Sequence, residues 1–128
     1  MKSLPLSLIV ILYLASIPAS FANNADEEIM HLIEFLQKSD CSFNRNGNWY
    51  SSVKAAGHIN MKYSYLRKKG LINSAEQFID RAASRSSMSG KPYLVRCDDS
   101  EAILSSTWFS DELKRYRKIS DNKDADYK

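Results

Sequence analysis

The sequence of 128 residues is poor in the residue types that build metal and phosphate sites. It has two histidines, His31 and His58, and two cysteines, Cys41 and Cys97, with no C-x-x-C pair. With one histidine on each of two predicted helices, neither a zinc nor a haem pattern is met. The four glycines form neither a glycine-rich phosphate loop nor a G-x-S-x-G elbow. We therefore predict no metal and no cofactor.

A strong excess of one charge is also absent. Beyond residue 22 the chain carries 17 basic and 15 acidic side chains, whereas nucleic-acid-binding domains usually present a strongly basic surface. Basic clusters at 67–69 and 114–118 lie where helices are predicted to end, and the helix dipole favours cations there. The composition therefore predicts no nucleic-acid partner.

One apolar run, at residues 4–17, follows Lys2 and precedes small residues at Ser20 and Ala22. This order is typical of a secretory signal peptide. The run is shorter than the roughly 20 residues that a membrane-spanning helix needs. We predict cleavage after Ala22, with no transmembrane span in the mature chain.

Apolar residues at helical spacing predict four helices after the signal peptide. The first starts at Asn24, and its apolar side is formed by Ile29, Leu32, Ile33 and Leu36. The second begins near Ser51 or Ser52 and ends at Gly70, a residue suited to a left-handed C-cap. Ser51 and Lys54 match the S-x-x-K spacing of some serine enzymes, but a serine at this position also serves as an N-cap.

The third helix has Asn73 and Glu76 spaced as in a capping box. The last holds Trp108, Phe109 and Leu113. His31 lies off the apolar side of the first helix, so we expect it to face solvent.

Two short segments, residues 41–45 and 93–97, are rich in aromatic or β-branched residues and predict strands. A third strand is possible at residues 102–105. An antiparallel register that pairs Phe43 with Val95 brings Cys41 to Cys97 and Arg45 to Tyr93. Since an exported chain meets an oxidising compartment, we predict a disulfide between the two cysteines.

These elements predict an α+β fold, in which a small antiparallel sheet of two to three strands is packed by about four helices. We assign residues 1–22 to a cleaved signal peptide, 23–118 to a single α+β domain and 119–128 to a polar disordered tail.

Four motifs occur in order along the domain: F-x-R-N-G at 43–47, A-x-x-H-I-x-x-K at 55–62, S-A-E-Q-F-I at 74–79 and A-S-R-S-S-M-S-G-K-P-Y at 83–93. Together they resemble the YfeK-like family of small exported bacterial proteins, a family of unknown function. The resemblance implies the periplasm of a Gram-negative bacterium and no established activity, cofactor or partner. It also implies that the two cysteines belong to a subgroup, so a shared catalytic thiol is not expected.

The motif residues are predicted to converge at one end of the sheet, and His58 and Lys62 share a face of the second helix. In a structural interpretation, Arg45 and His58 bond to carbonyls of the serine-rich loop. In a functional one, the same end binds an anion or a peptide. The candidate binding residues are Arg45, Asn46, Tyr50, His58, Lys62, Ser86, Ser87, Ser89 and Tyr93.

We assign no catalytic residue. The leading hypothesis is a non-enzymatic binding or accessory module for a periplasmic protein or envelope component, with an inhibitor or immunity role as a special case. The alternative is a small secreted hydrolase that uses His58 as general base with Arg45 and Lys62. If Arg45 and His58 open into one cleft, the hydrolase gains support; if His58 is sealed under the first strand, it loses support.

Overall fold

The structure of the protein, a computed structural model, describes Ser3 and residues 21–127. Apart from Ser3 and residues 21–22, the predicted signal peptide lies outside the described residues. The helices are α1 (Phe21–Lys38), α2 (Ser52–Lys68), α3 (Ala75–Ala82) and α4 (Ser105–Asp126). The strands are β1 (Ser42–Arg45), β2 (Asn48–Ser51), β3 (Leu94–Arg96) and β4 (Ile103–Leu104).

The strands form one antiparallel sheet in the order β2-β1-β3-β4. The α+β class is confirmed, with one strand more than predicted within residues 21–127. Along this part of the chain, no helix combines the length and apolar character that a bilayer crossing requires.

The additional strand is β2, which pairs with β1 in a tight hairpin. Asn46 and Gly47 form the turn, with φ values of 52° and 83°. Two successive left-handed residues suit a type I′ turn, whose twist matches that of paired strands. The chain therefore pairs as a strand at Trp49 and Tyr50 before α2 begins, rather than leading into the helix without pairing.

The predicted register between β1 and β3 is confirmed by the pairing of Phe43 with Val95. Cys41 and Cys97 form the predicted disulfide, with Cα atoms 4.3 Å apart. Phe43, Val95 and Tyr93 are almost fully buried among helix side chains. The predicted apolar side of α1 is buried as well, so the helices cover one face of the sheet.

The helix ends follow local capping chemistry. The hydroxyl of Ser51 caps α2 by accepting from the Lys54 amide at 3.3 Å, and Gly70 has a φ of 71° beyond its C-terminus. The predicted cap of α3 at Asn73 is wrong by one residue. Ser74 is the N-cap and accepts from the Gln77 amide, while the Gln77 side chain returns to the backbone amide of Asn73 at 2.7 Å. The residue three positions after the cap is therefore Gln77 rather than the predicted Glu76.

Helix α4 continues to Asp126, beyond the boundary predicted at residue 118. Residues 121–127 are exposed. Extending a helix that is already formed costs little, because nucleation is the expensive step. The segment predicted as a disordered tail is therefore helical as far as Asp126, while the domain boundaries remain predictions.

Hydrogen bonds between polar side chains join α1 to α4. Glu112 is 4% exposed and accepts from His31 Nε2 at 2.7 Å and from Arg115 at 2.6 and 2.8 Å. Burial raises the pKa of Glu112, but the bonds from Arg115 and His31 outweigh it and lower that pKa overall. The expectation that His31 simply faces solvent is wrong, because a buried carboxylate needs partners from the helix it packs against.

Candidate functional site

The candidate site is a cavity of about 250 Å³ between the β1–β2 hairpin and α2. Phe43 and Arg45 are two residues apart in β1, so their side chains lie on the same face of the strand. Tyr50 pairs with Phe43 across the hairpin. Helix α2 contributes residues from its first two turns, which are neighbours on one face. The lining residues are Phe43, Arg45, Tyr50, Lys54, Ala55 and His58.

Arg45 and His58 are in direct contact inside this cavity. The guanidinium Nη1 lies 2.5 Å from His58 Nδ1, and the guanidinium carbon lies 5.3 Å from the centre of the Tyr50 ring. Because a guanidinium can only donate, Nδ1 accepts and the ring proton belongs on Nε2. His58 therefore offers an N–H donor at its second nitrogen.

The ionisation of His58 agrees with this arrangement. Burial, followed by the positive charges of Arg45 and Lys62, lowers the pKa of His58. A histidine whose pKa is below its ordinary value is mostly neutral at pH 7. The positive charge at the cavity therefore comes from Arg45 and Lys54.

These cations are not neutralised by nearby acids. Among residues 21–127, the ion pairs of the structure join other side chains, and none includes Arg45, Lys54 or Lys62. Burial, with the charges of Arg85 and Arg45, lowers the pKa of Lys62. Arg45, Lys54 and Lys62 therefore have no carboxylate within salt-bridge distance among these residues.

Lys62 and Tyr93 lie beside the cavity but do not line it. Lys62 Nζ donates to the Arg85 carbonyl at 2.8 Å and lies 3.5 Å from the Tyr93 hydroxyl. Tyr93 is 1% exposed, and burial raises its pKa despite the opposing effect of Arg45. Both residues join α2 to the segment that precedes β3.

The serine-rich loop bonds to the hairpin turn. The Ser86 hydroxyl oxygen accepts from Asn46 Nδ2 at 3.3 Å and from the amides of Met88 and Ser89 at 3.2 and 3.3 Å. The Ser89 hydroxyl donates to Asn46 Oδ1 at 2.6 Å. Ser87 is exposed and stays outside this network. The loop hydroxyls that bond to the turn are therefore used within the fold.

The structure thus divides the predicted site residues into groups. Arg45, Tyr50 and His58 line the cavity, and Asn46, Ser86 and Ser89 form the network between the hairpin turn and the serine-rich loop. Lys62 and Tyr93 lie beside the cavity, and Ser87 belongs to none of these groups. Sequence reasoning missed Phe43, Lys54 and Ala55 as lining residues. Lys54 lies four residues before His58, a spacing that places both on one helix face and could have identified it.

Within the described part of the chain, no three His, Cys, Asp or Glu side chains are grouped as a metal site would require.

Comparison with known proteins shows the family of this chain and a relative. The family model described as "Family of unknown function (DUF5329)" matches residues 23–117. The chain is 41% identical over 87 residues to "Uncharacterized protein YfeK" of Salmonella typhimurium, an overlap of 66% of this chain and 71% of that protein. No solved structure matches.

Proposed function

The chain belongs to the DUF5329 family, whose function is unknown, and from that premise we propose that it is a non-enzymatic binding module. Its cavity takes an anionic group of a protein or envelope component. The proposed setting is the periplasm, to which the predicted signal peptide directs the chain. One observation carries the proposal: Arg45, Lys54 and His58 line one cavity together with no carboxylate.

The cavity suits an anion because its donors are already positioned. Arg45 is held against the Tyr50 ring and against His58 Nδ1. Such preorganisation lowers the entropy cost of binding. Charge-assisted hydrogen bonds from a guanidinium to an oxyanion are about twice as strong as neutral ones. A bound anion would supply the negative charge that the surrounding residues lack.

A hydrolase is the second candidate, and one observation favours it: Arg45 and His58 open into the same cavity. Two features weigh against it. The Nδ1 lone pair of His58 is occupied by Arg45, so Nε2 carries the proton and the ring is a donor rather than a base. The lining residues also include no serine, threonine, cysteine or carboxylate to act as nucleophile or to orient the imidazole.

The proposal is tested by titrating the purified protein with acetate, phosphate and sulfate while the NMR signals of the Arg45 and His58 side chains are followed. We expect saturable shifts of these signals with at least one anion. Arg45→Gln should weaken binding by roughly tenfold or more, because a hydrogen bond to a charged group contributes about 1.5–3 kcal/mol.

The matched control is Lys118→Gln, which removes the same charge at an exposed position of α4. It should bind as the unchanged protein does, and thermal unfolding should show that both variants are folded. The binding proposal is wrong if no anion gives saturable shifts, or if Lys118→Gln weakens binding as much as Arg45→Gln.

A further inference from the structure

The cavity is smaller than the sites that enclose a typical drug-sized ligand. Its volume of about 250 Å³ is below the roughly 300–1,000 Å³ of typical small-molecule sites. It lies on the helix-covered side of the sheet and is bordered by the edge strand β2 through Tyr50. A ligand larger than a single anionic group would therefore place one end group in the cavity and extend beyond its mouth.

The lining indicates what that end group contains. Phe43, Tyr50 and Ala55 provide apolar surface, whereas Arg45, Lys54 and His58 provide nitrogen donors. A carboxylate attached to an apolar side chain satisfies both kinds of lining at once. A phosphate or sulfate is polar on every side and would leave the apolar half without a partner.

The backbone next to the cavity is open to an extended chain. Strand β2 is an edge of the sheet, and Arg45 and Asn48 pair directly at the two-residue turn. In an antiparallel hairpin of this kind, that pair exchanges both hydrogen bonds, so the N–H and C=O of the next residue, Trp49, point away from β1. Trp49 precedes Tyr50, which lines the cavity, so the open edge and the cavity are adjacent.

We propose that this cavity and the edge of β2 together bind the C-terminal residue of an extended polypeptide. The terminal carboxylate contacts Arg45, Lys54 and His58, and the terminal side chain packs on Tyr50 and Ala55. The preceding residues add to the sheet beside Trp49, a known mode of peptide recognition. This inference rests on the proposed anion-binding function and names its ligand.

The test uses a pool of acetylated pentapeptides that share a C-terminal leucine, either with a free carboxylate or amidated. Affinities are measured by calorimetry at about 0.15 M salt, where long-range attraction between exposed charges is screened. We expect the free-carboxylate pool to bind more tightly than acetate, and amidation to weaken it by about tenfold or more. Arg45→Gln should weaken the free-carboxylate pool and leave the amidated pool unaffected.

The proposed pairing of the peptide with the edge of β2 is tested separately, by changing the backbone of the peptide. In an added strand, alternate amides bond to the sheet edge, so N-methylation of one of two successive amides should weaken binding and methylation of the other should not. Equal effects at both amides would overturn the strand arrangement.

The outcomes separate the two proposals. If phosphate and acetate bind and the free-carboxylate pool binds no more tightly than acetate, the peptide inference is wrong and the anion-binding function stands. If phosphate binds and neither acetate nor the free-carboxylate pool does, the peptide inference is also wrong, and the ligand is a phosphate-ended component. If no anion and no peptide binds, both proposals are wrong.

Discussion

At the residue scale, Ser86 has the most connected hydroxyl of the serine-rich loop. Its oxygen accepts from Asn46 and from two amides of its own loop, and the residue is 5% exposed. Each hydrogen bond within a folded protein contributes about 0.5–1.5 kcal/mol to stability, and this one oxygen accepts three. We therefore interpret Ser86 as structural, and Arg45 and His58 remain the proposed binding pair.

We predict that Ser86→Ala lowers the free energy of unfolding by about 1–3 kcal/mol, since it removes the acceptor of three part-buried hydrogen bonds. Urea unfolding followed by circular dichroism measures the change. The exposed neighbour Ser87 is the matched control, and Ser87→Ala should stay within about 0.5 kcal/mol of the unchanged protein. Equal losses at the two positions would contradict the structural role of Ser86.

At the scale of elements, α2 forms one wall of the cavity and contains a glycine that the fold does not require. Gly57 is exposed in the middle of the helix, and a Cβ atom added there would meet nothing within 4 Å. Gly70, just beyond the same helix, has a left-handed φ of 71°. The two glycines therefore differ in what an added methyl group would do.

Gly57→Ala should raise the free energy of unfolding by about 1 kcal/mol, because alanine is the better helix former. Gly70→Ala should lower it by about 1–2 kcal/mol, because an L-residue is disfavoured in the left-handed region. Thermal unfolding of the two variants checks the signs. A loss of stability in Gly57→Ala would show that this position is packed against something, and a gain in Gly70→Ala would contradict the left-handed cap.

At the scale of the whole molecule, the disulfide links the start of β1 to the end of β3 across 56 residues of chain. The segment it encloses contains β1, β2, α2, α3 and β3, and therefore all six residues that line the candidate site. For a domain of roughly 100 residues, a covalent link of this span is a large part of the total stability.

We predict that replacing both cysteines, as Cys41→Ala with Cys97→Ala, lowers the free energy of unfolding by about 4 kcal/mol in the chain-entropy description. Urea unfolding of the variant and of the unchanged protein measures this loss. Adding reductant should lower the urea concentration at the unfolding midpoint of the unchanged protein and leave that of the variant as it is. Free thiols in the denatured, unreduced protein would show that the bridge is absent.

Much of the fold could be predicted from local patterns. The apolar spacing of α1, the Asn46-Gly47 turn and the glycine after α2 each act within a few residues, so periodicity and turn chemistry identify them. The pairing of Phe43 with Val95 followed from the two cysteines and from side-chain alternation. Strand β2 was missed because four residues that follow a tight turn show too little pattern to distinguish a strand from the approach to a helix.

The sequence by itself determined the fold class, the disulfide, the β1–β3 register and the family. Only the tertiary structure decided that Arg45 meets His58, that Lys54 joins them and that Lys62 bonds to the Arg85 carbonyl instead. It also decided that His31 meets Glu112, 81 residues away. The physical reason is range: helix periods and turns act over a few residues, whereas the cavity depends on how α2 docks against the hairpin. That docking places uncompensated cations beside an open strand edge, and no local pattern encodes it.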